Sequence, residues 1–161
     1  MWEIADELSR RIGARAPLRD VVEVYIASGG EQNTAMTIVL DSSAMLAYLF
    51  EETGWQVVQD AMADAIVCSV DLAEVVGKPV DPGYDASETR QLVSGFVALT
   101  VPHAFGDAFS AGSLLAPTRQ PGLSLGDRCC LAPAMDRQAR VLTADRAWPE
   151  LSLGIAIEVI R

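Results

Sequence analysis

Four acidic residues stand at positions where carboxylates do chemistry: Asp41, Glu74, Asp127 and Asp145. Asp41 closes the apolar run Thr37–Leu40 just before a helical pattern. Glu74 lies in Asp71–Leu72–Ala73–Glu74, and Asp127 in Ser124–Leu125–Gly126–Asp127, each at the start of a helix. Asp145 follows the strand-like run Arg140–Thr143 in a Thr-Ala-Asp turn. Each has an ordinary alternative. Asp41 suits a helix N-cap, Asp71 with Glu74 and Ser124 with Asp127 suit capping boxes, and Asp145 suits a turn. Gathered at one site, the four would repel and raise one another's pKa values. Cations between them remove that conflict, and oxygen ligands select Mg²⁺ or Mn²⁺. Such a centre can polarise a phosphodiester and activate water.

The elements that must position these acids alternate from Met36 onward. Thr37–Asp41, Ala65–Ser69, Phe96–Val101, Ala139–Thr143 and Ile155–Ile160 read as strands. Ser42–Phe50, a segment marked by Trp55, Val58 and Met62, Leu72–Val80, Asp85–Gly95, His103–Leu115 and Ser124–Arg137 read as helices. Asp85 and Glu88 form another capping-box pair. This alternation predicts an α/β fold, a largely parallel sheet flanked by helices on both faces. Ligands of such sheets sit beyond the carboxyl ends of the strands, where the acids fall.

Residues 1–35 read differently. Ile4, Leu8 and Ile12, and then Leu18, Val21, Val22, Tyr25 and Ile26, follow helical spacing. Pro17 suits a helix start and Gly29–Gly30 a helix end. The polar stretch Ser28–Ala35 reads as a linker. The expected organisation is a helical extension over 1–35 and an α/β domain over 36–161.

Composition narrows the function. The 161-residue chain has 12 basic and 22 acidic residues, a net charge of −10. That excludes binding of nucleic acid through a basic face, but not a nuclease that meets phosphate through metal ions. Cys68, Cys129 and Cys130 are odd in number with no zinc-ligand spacing, so free thiols in a reducing cytoplasm are expected. No run has the length and apolarity of a membrane span.

The stretches TIVLDSSAMLAYL (37–49), VDLAEVVGK (70–78), GLSLGDRCCLA (122–132) and RVLTADRAW (140–148) together resemble a PIN-domain ribonuclease, and above all the VapC toxins of bacterial toxin–antitoxin pairs. The resemblance covers 36–161, about four-fifths of the chain. It implies a metal-dependent endoribonuclease with Asp41, Glu74, Asp127 and Asp145 as a catalytic, metal-binding quartet, and Mg²⁺ or Mn²⁺ as cofactor. It also implies Thr143 as a supporting hydroxyl, RNA as substrate, a VapB-like antitoxin as partner and a homodimer. Ser42 and Ser43 are placed either to bond a metal-held water or to cap the helix after Asp41. The sequence departs from the family at Pro133, inside the helix after Asp127, and at His103–Ala104. Residues 1–35 are not part of the usual toxin; an antitoxin-like segment and an extraneous extension are both open readings.

The other reactive residues read more plainly. His103, the sole histidine, fits a surface helix start. Cys129 and Cys130 fit core packing, as do Trp55 and Trp148. Arg128 and Arg146 suit either phosphate steering or surface ion pairs. A competing function is a binding or regulatory module that keeps the fold without efficient cleavage. A phosphatase would need an Asp-x-Asp pair, which Asp41–Ser42–Ser43 does not supply.

Overall fold

The computed structural model describes residues 38–80, 83–120 and 122–161. The helices and linker expected over 1–35 lie outside the described residues. Among the described residues five strands and six α-helices follow one another: β1 (Ile38–Leu40), α1 (Ser42–Leu49), α2 (Trp55–Ala61), β2 (Ala65–Cys68), α3 (Ser69–Val80), α4 (Ala86–Val93), β3 (Thr100–Val101), α5 (Phe105–Ser113), α6 (Leu125–Arg137), β4 (Arg140–Thr143) and β5 (Ile157–Val159). All pairings are parallel, in the order β3-β2-β1-β4-β5. The expected α/β fold is therefore the observed one. Among the described residues no helix is long and apolar enough to cross a membrane.

The central strand explains the layers. Ile38 and Leu40 point to one face of the sheet and Val39 to the other, as the two-residue period of a strand demands. The first face carries Met45 of α1, Val58 of α2, Val75 of α3, Val93 of α4 and Phe96. The second carries Leu131 and Ala134 of α6 with Trp148, which is fully buried. The expected packing role of Trp148 is met. Trp55 is half-buried with its ring centroid 6.4 Å from that of Tyr48.

The chain winds outward from β1 to β2 and β3, then crosses back to place β4 on the other side of β1. The carboxyl ends of β1 and β4 thus meet at the reversal of strand order, where open α/β sheets place their sites.

The largest differences from the sequence reading lie at the start of α3 and in β3. Helix α3 begins at Ser69 rather than Leu72, so Asp71 lies inside its first turn and is not an N-cap. The strand expected over Phe96–Val101 is reduced to Thr100–Val101, because Ser94–Leu99 coils into a 3₁₀ helix closed by the Thr100 hydroxyl on the Phe96 carbonyl, at 2.8 Å. Pro133 does not break α6, which runs unbroken to Arg137 with Pro133 buried within it. A second device fixes the far edge of the sheet. Gly54 has φ +90°, and a Cβ there would sit 2.0 Å from the Ile160 carbonyl oxygen, so only glycine lets the chain after β5 lie against the start of α2.

Candidate metal centre

Asp41 follows β1 directly, and its backbone N–H donates to Leu142 O of β4 at 3.0 Å. That bond holds it at the junction of the two strands. Its two carboxylate oxygens have different surroundings. Oδ2 accepts from the Ser43 backbone N–H at 3.2 Å, from the Ser43 hydroxyl, and from the Thr143 hydroxyl at 2.9 Å. This oxygen caps α1, so the capping alternative is real. Oδ1 is buried with no partner. One carboxylate therefore both caps a helix and keeps an oxygen free for a ligand. Burial pushes the Asp41 pKa up, the hydroxyl bonds of Ser43 and Thr143 oppose this, and the charge of Asp127 adds to the rise.

Thr143 ends β4 and is fully buried. Its hydroxyl donates to Asp41 and accepts the backbone N–H of Asp145 at 3.0 Å. The expected supporting hydroxyl is thus in contact with the first acid. Of the two serines after Asp41, Ser43 makes that contact; Ser42 is buried beside it without a side-chain bond to the carboxylate. Ser43 also accepts the Ala144 N–H at 2.8 Å, tying α1 to the turn after β4.

Asp127 sits in the first turn of α6, half-buried. Its Oδ2 accepts the Ser124 N–H at 2.6 Å, and its own N–H donates to the Ser124 hydroxyl at 3.1 Å. The capping box read from the sequence is formed, and it fixes the carboxylate. Glu74, on the exposed side of α3, reaches across to α6: a Cβ on Gly126 would sit 3.0 Å from Glu74 Oε2. Asp145 is exposed in its turn, where Oδ1 accepts the Ala147 N–H at 2.8 Å. Its link to the cluster runs through Thr143.

The structure adds a residue that was read only as a cap. Asp71 is fully buried, and neither of its oxygens has a partner. Burial drives its pKa up to about 9, helped by the charges of Asp41, Glu74 and Asp127. Asp41, Asp71 and Cys130 each offer one donor atom, and the three atoms lie within 4.8 Å of one another. A signal for Asp71 was present in the sequence. It precedes the buried Val75 by four residues on α3, so it lies on the helix face that carries Val75 into the core.

The remaining candidates take ordinary places with one exception. His103 is not a surface residue. It is half-buried, with Nδ1 3.6 Å from the Cys68 sulfur and Nε2 3.5 Å from the Cys129 sulfur. All three cysteines are free and buried. Burial pushes the Cys68 thiol up to about 11 and raises Cys129 and Cys130 as well. Arg128 donates to the Leu123 carbonyl and Arg146 to the Arg161 carbonyl. Among the described residues the ion pairs are Arg140–Glu158 and Arg161–Glu52. Among the described residues neither Arg128 nor Arg146 pairs with an acid.

The residues fit a divalent cation. Asp41 Oδ1 is a buried carboxylate oxygen without a hydrogen bond, beside Asp127 and Asp71. Buried unpaired anions are costly, and a cation is the partner this donor set lacks.

The PIN domain family profile matches residues 38–152. No curated protein matches the sequence. Among solved structures, VapBC2 from Rickettsia felis bound to a promoter DNA fragment aligns at TM-score 0.62 and 14% identity, over 76% of this chain and 98% of that one. DNA-bound VapBC from Salmonella typhimurium aligns at TM-score 0.61 and 16% identity, over 78% and 99%. VapBC-5 from Mycobacterium tuberculosis, a member of a toxin–antitoxin family, aligns at TM-score 0.51 and 22% identity, over 78% and 98%. At these identities the likeness is one of fold.

Proposed function

This chain belongs to the PIN-domain family, and on that premise we propose that it is a Mg²⁺- or Mn²⁺-dependent endoribonuclease, the toxin of a toxin–antitoxin pair. The observation that carries the proposal is the free, buried Oδ1 of Asp41, held at the strand junction by a fully bonded Oδ2. Asp41 and Asp127 act as principal metal ligands, with Glu74 and Asp145 completing the quartet. When bound, the cation supplies Lewis acidity at the phosphodiester and lowers the pKa of the attacking water.

The chain's own residues do the positioning. Ser43 and Thr143 fix the rotation of the Asp41 carboxyl group, so its free oxygen keeps one direction. Ser124 fixes Asp127. Gly126 leaves room for Glu74 over the start of α6. Arg128 and Arg146, whose side chains bond backbone carbonyls among the described residues, are placed to meet phosphate.

The partner reading rests on the solved structures above, which are VapBC toxin–antitoxin proteins. A VapB-like antitoxin would cover the acidic cluster. A homodimer is supported by α5, where Phe105 and Phe109 stand one turn apart and are 88% and 71% exposed.

The test is cleavage of RNA by purified protein under Mg²⁺ or Mn²⁺ titration, with Asp41→Asn and Asp127→Asn alongside. Wild type should cut only with metal, and either amide should lower the rate at least a hundredfold while weakening Mn²⁺ binding. Asp127→Asn cutting as well as wild type would refute the assignment. A protein inert toward RNA that still binds an antitoxin would be the binding module instead.

A further inference from the structure

The site has a lower level with different chemistry. Asp71 precedes Glu74 by one helical turn on α3, and Cys130 follows Asp127 by one turn on α6. Glu74 is exposed and Asp127 half-buried, whereas Asp71 and Cys130 are fully buried. Asp41 is common to both levels. We propose that Asp41, Asp71 and Cys130 form a binding site for a thiophilic divalent cation of the zinc class, set apart from the oxygen-only Mg²⁺ or Mn²⁺ site by its sulfur ligand.

Three observations carry this. First, the donor atoms of the three residues lie within 4.8 Å of one another. Ligands of one tetrahedral zinc-like ion, at about 2.0–2.3 Å from the metal, stand roughly 3.3–3.8 Å apart, so the three atoms need draw in by only about 1 Å. Second, both Asp71 oxygens and Asp41 Oδ1 are buried and unpartnered. Nothing in the hydrogen-bond network uses them, although buried polar groups are nearly always paired. Third, the donor set mixes two carboxylates with a thiol. Mg²⁺ disfavours sulfur, while Zn²⁺ and Co²⁺ accept it. On binding, the Cys130 thiol and the Asp71 carboxyl group each release a proton to solvent and coordinate as thiolate and carboxylate. Three protein donors leave one position of a four-coordinate ion for water. The inference shares Asp41 with the nuclease reading and otherwise does not depend on it.

Co²⁺ titration of the full-length protein tests it, because thiolate ligation gives a sulfur-to-cobalt charge-transfer band in the near ultraviolet. Wild type should develop this band at one equivalent. Cys130→Ser should lose the band while keeping its melting temperature and its Mn²⁺ binding by electron paramagnetic resonance. Asp71→Asn should weaken Co²⁺ binding at least tenfold. The double variant Cys68→Ala/Cys129→Ala should keep the band, which covers the case where Cys130→Ser does not fold. Absence of the band in wild type, its survival in folded Cys130→Ser, or its loss in the double variant would overturn the proposal. Mn²⁺-supported RNA cleavage without any sulfur band would remove this site and leave the nuclease reading standing. The band in a protein that cuts no RNA would support this site and count against that reading.

Discussion

Asp71 gives the metal-free protein a pH dependence of definite sign. Its folded pKa, about 9, lies above the ordinary value of 3.8 because burial and three neighbouring acids oppose its charge. The folded state therefore holds a proton that the unfolded chain releases between these values, and stability declines as pH climbs from about 4 toward 9. Asp41 is shifted in the same direction. Each pKa unit corresponds to about 1.4 kcal/mol, so the decline should be easily measured. In EDTA, calorimetry should show a melting temperature that falls between about pH 5 and pH 8. Asp71→Asn should flatten that slope and melt higher than wild type at the alkaline end. An unchanged slope in Asp71→Asn would mean that other groups set it. The positions of Asp41 and Asp127 were legible because a strand end and a helix start can be read from patterning, whereas Glu74 falls in the second turn of α3 and not at its start. Asp71 was hidden by its own neighbour, since Asp-x-x-Glu is also how a helix begins. His103 was misjudged because the two sulfurs that flank it come from β2 and α6, far away in sequence.

The start of α6 combines two demands on one turn. Ser124 and Asp127 close the capping box, while Gly126 sits under the Glu74 carboxylate. Alanine at 126 would favour the helix by up to about 1 kcal/mol, yet its Cβ would sit 3.0 Å from Glu74 Oε2. Glu74 is a flexible side chain and can move. Gly126→Ala should therefore fold as well as wild type, or melt slightly higher, and bind Mn²⁺ several-fold more weakly by calorimetric titration. Unchanged Mn²⁺ affinity would show that Glu74 needs no such clearance. Most elements were legible by other marks: β1, β2 and β4 are short, largely buried apolar runs, and α6 is opened by the Ser124–Asp127 capping box. The strand expected over 96–101 was not, because an apolar run does not state which residues face inward. Phe96 is buried and Val97 is 64% exposed, so a single anchor holds a coil rather than a ladder.

At the scale of the whole molecule, two surfaces invite measurement. The exposed Phe105–Phe109 pair on α5 should mediate self-association. Sedimentation of wild type should give a dimer at micromolar concentration, and Phe105→Asp/Phe109→Asp should give a monomer with an unchanged melting temperature, since neither ring is in the core. A wild-type monomer would leave the pair without this role. The second is the surface around the acidic cluster of Asp41, Glu74 and Asp127. Residues 1–35 carry Arg10, Arg11, Arg15 and Arg19, and their reading as an antitoxin-like segment is open to test by truncation. Removal of residues 1–35 should then raise the rate of RNA cleavage. An unaltered rate would make the segment irrelevant to activity.

The pairing of β1 with β4 has a consequence for the chain as it is synthesised. Asp41 takes its orientation from Thr143, 102 residues further along. Its backbone is held by Leu142. A nascent chain that has not yet emerged past β4 has neither group, and contacts this distant in sequence are also slow to form. On the nuclease reading, a ribosome therefore carries an unarmed product through most of translation. The messenger that encodes the chain is shielded from it by topology alone, before any inhibitor arrives.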